Sequence, residues 1–408
     1  MPEWIYLDNN ATTIVPDHVV NTVAQWMNKG NASSSYGPAR ECQKLITAFR
    51  DLIAEECEMS LEGVQGYSII FTSGASESNS HIITAATRGY MFKTGLLPHV
   101  IVSSVEHKSI LMCCERLKKE KLIELTEIPV QTKGPYLGTV DPVAVEQAIK
   151  PNTCLISIMT TNNETGANNN IVKIGQIAAE RHVPFHTDVV QIFGRSKIKP
   201  VDLNIDAMSV SFHKIYGPPG IGVLIIKKSF IAGYDIPPLI YGTQNYGLRG
   251  GTINTPAIAG AFAGLKYTLE KRAKKNVQLR EFRELVMTKI ARKVSCCYLE
   301  DYVERNIVQV VWLAPKAKGI VVPWTILLAV DKPGVCNIKL KNSLEKRGII
   351  VSIGSACNTS DAKASHVVYA LGLPQRLKPG VLRISMGYDT TREEVNAFIN
   401  ALLALILR

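Results

Sequence analysis

Short apolar runs alternate with helix-like stretches through the middle of this chain. That alternation restricts the fold more than any other feature. Tyr67-Ser-Ile-Ile-Phe71 reads as a strand, followed by a helix from about Glu77 to Arg88. His99-Val-Ile-Val-Ser103 is the next strand, with a helix from about Ser109 to Lys121. Cys154-Leu-Ile-Ser-Ile-Met159 follows, then a polar loop and a helix from about Lys173 to Arg181. Pro184-Phe-His-Thr-Asp188, Ala207-Met-Ser-Val-Ser211 and Gly222-Val-Leu-Ile-Ile226 complete the series. Strands that alternate with helices form a mainly parallel sheet covered on both faces. Ligands of such sheets collect at the carboxyl ends of the strands, and the polar motifs of this chain sit immediately after them.

From about Pro256 to Arg292 the pattern is one long helix, apolar at first and then charged, which reads as a connector. Beyond it, strands near Asn306–Leu313, Thr325–Val330 and Val381–Ser385 and a helix near Ile338–Arg347 form a second, smaller unit. The expected division is residues 1–20 packing on the small domain, 21–260 as the large domain, and 261–408 as connector and small domain. A chain of 408 residues is long enough for two cores.

The formal net charge of +11 is dispersed. Its local clusters, Lys271 to Lys275 and Lys339 to Lys346, lie in helical sequence without interleaved aromatics. They read as solvated helix faces, not as a nucleic-acid surface. The charge also suits acidic partners or a phosphorylated cofactor. The nine cysteines form no CxxC pair, which fits reduced thiols in a cytoplasmic setting. The start lacks the pattern of a signal peptide, and the apolar run Ala401–Leu407 is too short to span a bilayer, so no membrane association is expected.

The candidate chemistry lies in a handful of segments. In Ser209-Val-Ser-Phe-His-Lys-Ile-Tyr-Gly-Pro-Pro-Gly220, a lysine stands between an apolar strand and a Gly/Pro turn. A partly desolvated lysine there has a lowered pKa and can form a Schiff base. Gly354-Ser-Ala-Cys357 places a thiol among small residues, as an exposed nucleophile would be. Thr72-Ser-Gly-Ala-Ser-Glu77 opens a helix after a strand and reads either as a phosphate cradle or as an ordinary start capped by Ser76. Asp188 ends a buried strand and needs a cationic or N–H partner; a protonated pyridine nitrogen would serve. His107 can stack on a planar ring or move protons. Asn162 and Asn163 offer amides at the same sheet edge. Arg383, inside an apolar strand, needs an anion, either a substrate carboxylate or a structural one. His182 and His186 lack a third ligand nearby, so no metal is expected.

Taken together these segments resemble the NifS/IscS-type cysteine desulfurases, within the class V aminotransferase family of pyridoxal-phosphate enzymes. The resemblance rests on Tyr6-Leu-Asp-Asn-Asn-Ala-Thr-Thr13, Phe71–Ser78, Glu106-His-Lys108, Asn162-Asn-Glu164, His186-Thr-Asp188 with Gln191, His213-Lys214 with Tyr216-Gly-Pro218, Arg249-Gly-Gly-Thr252, Gly354–Cys357 and Arg383-Ile-Ser385. It implies a fold of type I among PLP-dependent transferases: a mainly parallel seven-stranded sheet with helices on both faces, plus a small α+β domain. It implies pyridoxal 5′-phosphate on Lys214 as a Schiff base, with Asp188 at the pyridine nitrogen and Gln191 at the ring hydroxyl. His107 would stack on the ring. Ala75, Ser76, Ser211 and His213 would hold the phosphate, joined by Thr252 from the neighbouring subunit of a homodimer. Asn163 and Arg383 would bind the carboxylate of L-cysteine. Cys357 would accept its sulfur as a persulfide for an acceptor or iron–sulfur scaffold protein.

Two departures carry expectations. Phe212 stands where the family has a small residue, and a ring there would crowd the phosphate side. Ala32 and Tyr36 replace a Pro and a His in a segment that lies near substrate in the family. The alternatives these leave are a selenocysteine lyase or aminotransferase on the same fold, or a degenerate cofactor-binding protein with an interaction role.

Overall fold

The computed structural model describes residues 4–353 and 365–407; Cys357 lies outside them. The large sheet has seven strands, in the order Tyr67–Thr72, Gly222–Lys227, Ala207–Ser211, Phe185–Asp188, Thr153–Ser157, His99–Ser103 and Glu124–Ile128. All pairings are parallel except those of Gly222–Lys227, which runs antiparallel to both neighbours. Ten residues, Phe212 to Ile221, separate it from Ala207–Ser211. A parallel return would need a crossover of a dozen or more residues, so the chain doubles back instead.

Every residue of Tyr67–Thr72, His99–Ser103, Thr153–Ser157 and Ala207–Ser211 is buried, as continuous apolar runs covered on both faces require. Glu124–Ile128 escapes the sequence reading because it is the sheet's edge: four of its five residues are only partly buried or exposed, and its composition is polar. The helices fall close to their expected places. Ala75–Thr94 and Lys108–Lys119 match the two first expected.

Thr255–Ala291 is a single helix of 37 residues. Asn254 caps it by accepting from Ala257 N at 3.1 Å, and Pro256 sits in its first turn. Its buried positions run from Thr255 to Thr268, then resume at Leu279, Phe282, Val286 and Ile290. The spacing of three or four keeps one face inward. The helix therefore packs first among the elements that follow Lys214 and later beside a second sheet. That sheet has the order Val381–Ser385, Thr325–Asp331, Gln309–Trp312, Ser295–Tyr298. Ser295–Tyr298 is its half-exposed edge strand and has no clear signal in the sequence. Ile5–Tyr6 pairs in parallel with Ile349–Ile350, and Asp8 bridges to Ser385. The first residues are thereby threaded between the second sheet and the end of the large one.

Candidate active site

The carboxyl ends of five strands of the large sheet open onto one cavity of about 510 Å³. Its walls include Ser73 to Glu77, His107, Met159, Asn163, Asp188, Gln191, Ser211, His213 and Lys214. Asp8, Asn10 and Arg383 close it from the N-terminal segment and the second sheet.

Strand Tyr67–Thr72 ends in Ser73-Gly74, and Gly74 takes φ 154°, a conformation that glycine adopts without strain. Gly74 lies against Gly222: a Cβ on Gly222 would sit 2.7 Å from Gly74 Cα. Helix Ala75–Thr94 then starts with no side-chain cap. The ordinary capped start is therefore excluded: Ser76 lies inside the first turn, with Gly74 at the cap position. Glu77 turns aside, accepting from Ser73 N at 2.7 Å and pairing with Arg249 at 2.8 Å. That pair ties the Arg249-Gly-Gly-Thr252 loop to the helix start. Thr252 itself is exposed and does not line this chain's cavity.

His107 caps helix Lys108–Lys119. Its Nδ1 accepts from Ser109 N at 3.2 Å and lies 2.8 Å from Ser109 Oγ. That network puts the proton of the neutral ring on Nε2. Desolvation lowers the imidazole's pKa, against a raising influence of Asp188. Asp188, 6% exposed, accepts from Asn79 Nδ2 at 2.9 Å and from Val190 N at 3.0 Å. Both donors are neutral, so no protein cation forms an ion pair with this carboxylate among the described residues. His186 lies within the sheet between Ser157 Oγ and Ser209 Oγ, at 2.8 and 2.9 Å.

Strand Ala207–Ser211 ends in a tight turn over Phe212–Lys214. Lys214 Nζ donates to Asn10 O and Ala11 O, both at 2.6 Å. Burial brings its pKa down to about 8; Arg383 pushes the same way, and Asp8 and Asp188 oppose it. His213 Nδ1 lies 3.1 Å from Thr12 Oγ1, and burial lowers its pKa to about 4. Arg383 donates from Nη2 to Asp8 Oδ1 at 2.6 Å and from Nη1 to Asn163 O at 3.2 Å. Its Nε is buried without a partner. A structural carboxylate thus already faces this guanidinium, and one donor remains free.

Phe212 does not crowd the cavity. It is 0% exposed and points into the core, 5.0 Å from the ring of Phe49 and 6.3 Å from that of Phe193. The chain leaves the strand at Ser211 in a 3-10 turn, in which Phe212 faces the core while Ser211, His213 and Lys214 line the cavity. Tyr36 is also absent from the lining: its hydroxyl accepts from Asn31 N at 3.0 Å within its own loop. Residues that sequence reasoning left without a role include Asp8, Asn10, Ala11 and Asn79. Their polarity in Asp8-Asn-Asn-Ala-Thr-Thr13 was the available signal, but nothing local connects them to Lys214. Ser352 lines the cavity, and Ser365 donates to Glu164 Oε2 at 2.6 Å, Glu164 being the chain neighbour of the cavity residue Asn163.

The class-V aminotransferase profile matches residues 5–311. The chain belongs to that family, among its NifS/IscS-type cysteine desulfurases. It is 33% identical to the cysteine desulfurase IscS of Dictyoglomus turgidum, over 100% of this chain and 95% of that one. The solved structure of a NifS-like protein superposes with a TM-score of 0.83 at 27% identity, covering 99% of both chains. A structure described as SspA in complex with cysteine gives a TM-score of 0.74 at 30% identity, covering 93% of this chain and 98% of the other. The chain is an enzyme of this class, whose members work with pyridoxal 5′-phosphate. No described helix is long and apolar enough to cross a membrane.

Proposed function

We propose that this chain removes sulfur from L-cysteine, releases L-alanine, and holds the sulfur as a persulfide on Cys357 for delivery to an acceptor or iron–sulfur scaffold protein. The observation that carries this reading is a buried lysine, with a pKa near 8, sharing one cavity with an otherwise unpaired aspartate and an uncapped helix start. The donor set fits pyridoxal 5′-phosphate. Uncapped N–H groups at Ala75 and Ser76, with Ser211 and His213, suit a phosphate dianion. Asp188 suits a pyridinium, and Gln191 a ring hydroxyl. When bound, the cofactor supplies an electron sink adjacent to the substrate Cα.

The chain's own residues divide the remaining work. Lys214, once its amine is free, is the base placed to move the Cα proton; a pKa near 8 leaves part of it unprotonated at neutral pH. Asp188 keeps a negative charge where a cationic ring would lie. His107 offers an Nε2 proton toward the cavity. Arg383 and Asn163 orient the substrate carboxylate. The Cys357 thiolate takes the substrate sulfur: an S–S bond forms as the C–S bond breaks. Thr252 would complete the phosphate site of a second copy, making the working unit a homodimer. Residues 21–260 form the cofactor domain in this reading, with 1–20 and 261–408 making the smaller one. The eight described cysteines are all free, in keeping with a cytoplasmic setting.

The test is stoichiometric. L-Cysteine added to purified protein with cofactor yields alanine and, on mass spectrometry, a +32 Da adduct on the Cys357 peptide. Cys357→Ser binds cofactor and L-cysteine but carries no adduct. Alanine release with the adduct on another cysteine would reject Cys357, and no alanine at all would reject the activity.

A further inference from the structure

Arg195 does not line the cavity, yet it reaches the lysine that does. Its side chain donates from Nη2 to Lys214 O at 3.1 Å. The residue is 2% exposed, and its Nε has no partner. Two other buried or half-buried arginines are matched by carboxylates, Arg383 by Asp8 and Arg272 by Glu56, while Arg283 donates to the main-chain Thr325 O. Among the described residues no carboxylate comes within ion-pair distance of Arg195. Its guanidinium instead lies 5.1 Å from the ring centre of Trp324 and 5.8 Å from that of Tyr388. Both aromatics also keep an unpartnered polar atom, Trp324 Nε1 and Tyr388 Oη. Asn276 Nδ2 donates to Arg195 O at 2.7 Å and fixes the residue to helix Thr255–Ala291.

A buried guanidinium without a counter-ion is costly, and aromatic faces offset only part of that cost. A neutral side chain could make the same hydrogen bond to Lys214 O more cheaply. The charge itself is therefore what the position adds. We propose that Arg195 is a positioning residue for Lys214: it clamps the lysine's main chain and, through its unneutralised charge, favours the free amine over the ammonium.

The charged and titratable groups whose fields act on the Lys214 amine are Arg383, Asp8, Asp188, Arg195, His107 and His213. Asp8 neutralises Arg383, and burial keeps both imidazoles largely uncharged at neutral pH. Asp188 then favours the ammonium, and Arg195 acts in the opposite direction. The direction agrees with the lowered pKa of Lys214, for which burial is the largest cause, Arg383 the next to lower it, and Arg195 a smaller one acting the same way. The inference deepens the reading of Lys214 as the reactive amine and rests on it.

The test uses the full chain freed of cofactor and reads the amine directly. Competitive acetylation followed by peptide mass spectrometry gives the midpoint of Lys214 labelling against pH. In the unsubstituted protein the midpoint lies near pH 8. In R195M and R195Q it rises by about one unit, because removing a nearby positive charge favours the ammonium. In R195K, which retains the charge, it stays near that of the parent. The proposal falls if R195M or R195Q labels with an unmoved midpoint, if R195K shifts as far as they do, or if neither neutral variant folds. Failure of the protein to desulfurate L-cysteine would overturn the proposed activity and leave this measurement standing.

Discussion

Replacing Arg383 by Met separates the two anions that can claim its guanidinium. In the structure it is held by Asp8 at 2.6 Å, with side chains 6% and 20% exposed. Removing one partner of a fully buried pair costs about 3–5 kcal/mol. Asp8 keeps a fifth of its surface in water, which lowers the expected loss of fold stability to about 2 kcal/mol. The unpartnered Nε marks capacity for a further acceptor. A charge-assisted contact of the substrate carboxylate is worth about 2–3 kcal/mol, or about 30- to 150-fold in affinity. Urea denaturation reads the first quantity, and absorbance titration of the cofactor-loaded protein with L-cysteine reads the second. Asp8→Asn is the control: it frees the guanidinium from its internal anion, so affinity for L-cysteine holds or rises. The double variant loses as much affinity as Arg383→Met alone, and less stability than the two single losses added together. Should Arg383→Met destabilise the fold while binding L-cysteine as tightly as the parent, Arg383 serves Asp8 only.

Three shorter predictions accompany it. The folded-state pKa of Lys214 is near 8, below its ordinary 10.5, so the unfolded chain binds more protons between those values. The cofactor-free protein therefore gains stability as pH rises from about 8 to 10.5, and Lys214→Met removes that gain; equal slopes in pH-dependent urea melts would contradict the shift. Phe212→Ala costs about 3–5 kcal/mol because its ring fills a fully buried site, while the folded fraction keeps the cofactor absorbance; lost cofactor affinity at unchanged stability would mean the ring does reach the phosphate side. Gly222→Ala puts a Cβ 2.7 Å from Gly74 Cα, so it weakens binding of pyridoxal 5′-phosphate but not of phosphate-free pyridoxal. Equal losses for both in fluorescence titration would show that the Gly74 turn does not hold the phosphate.

The chain's apolar runs by themselves determined a covered, mainly parallel sheet. They also determined that the chemistry would gather where those runs end, because a strand with two buried faces leaves only its ends for polar groups. Asp188, Ser211, His213, Lys214 and His107 were legible for that reason: each follows a strong strand signal within a few residues. The edge strands Glu124–Ile128 and Ser295–Tyr298 were not legible, since a partly exposed edge tolerates Glu, Thr and Cys and loses its apolar signature. The rest was decided in three dimensions. Nothing local in Asp8-Asn-Asn-Ala11 says that its carbonyls receive the ammonium of a lysine some two hundred residues later, or that its aspartate meets Arg383. Those contacts depend on Ile5–Tyr6 joining Ile349–Ile350 and on the second sheet closing over the first. The direction of Phe212 was settled in the same way. Its identity suggested crowding, but the chain turns as a 3-10 helix after Ser211, and only packing against Phe49 and Phe193 shows that the core takes the ring and leaves the cavity open.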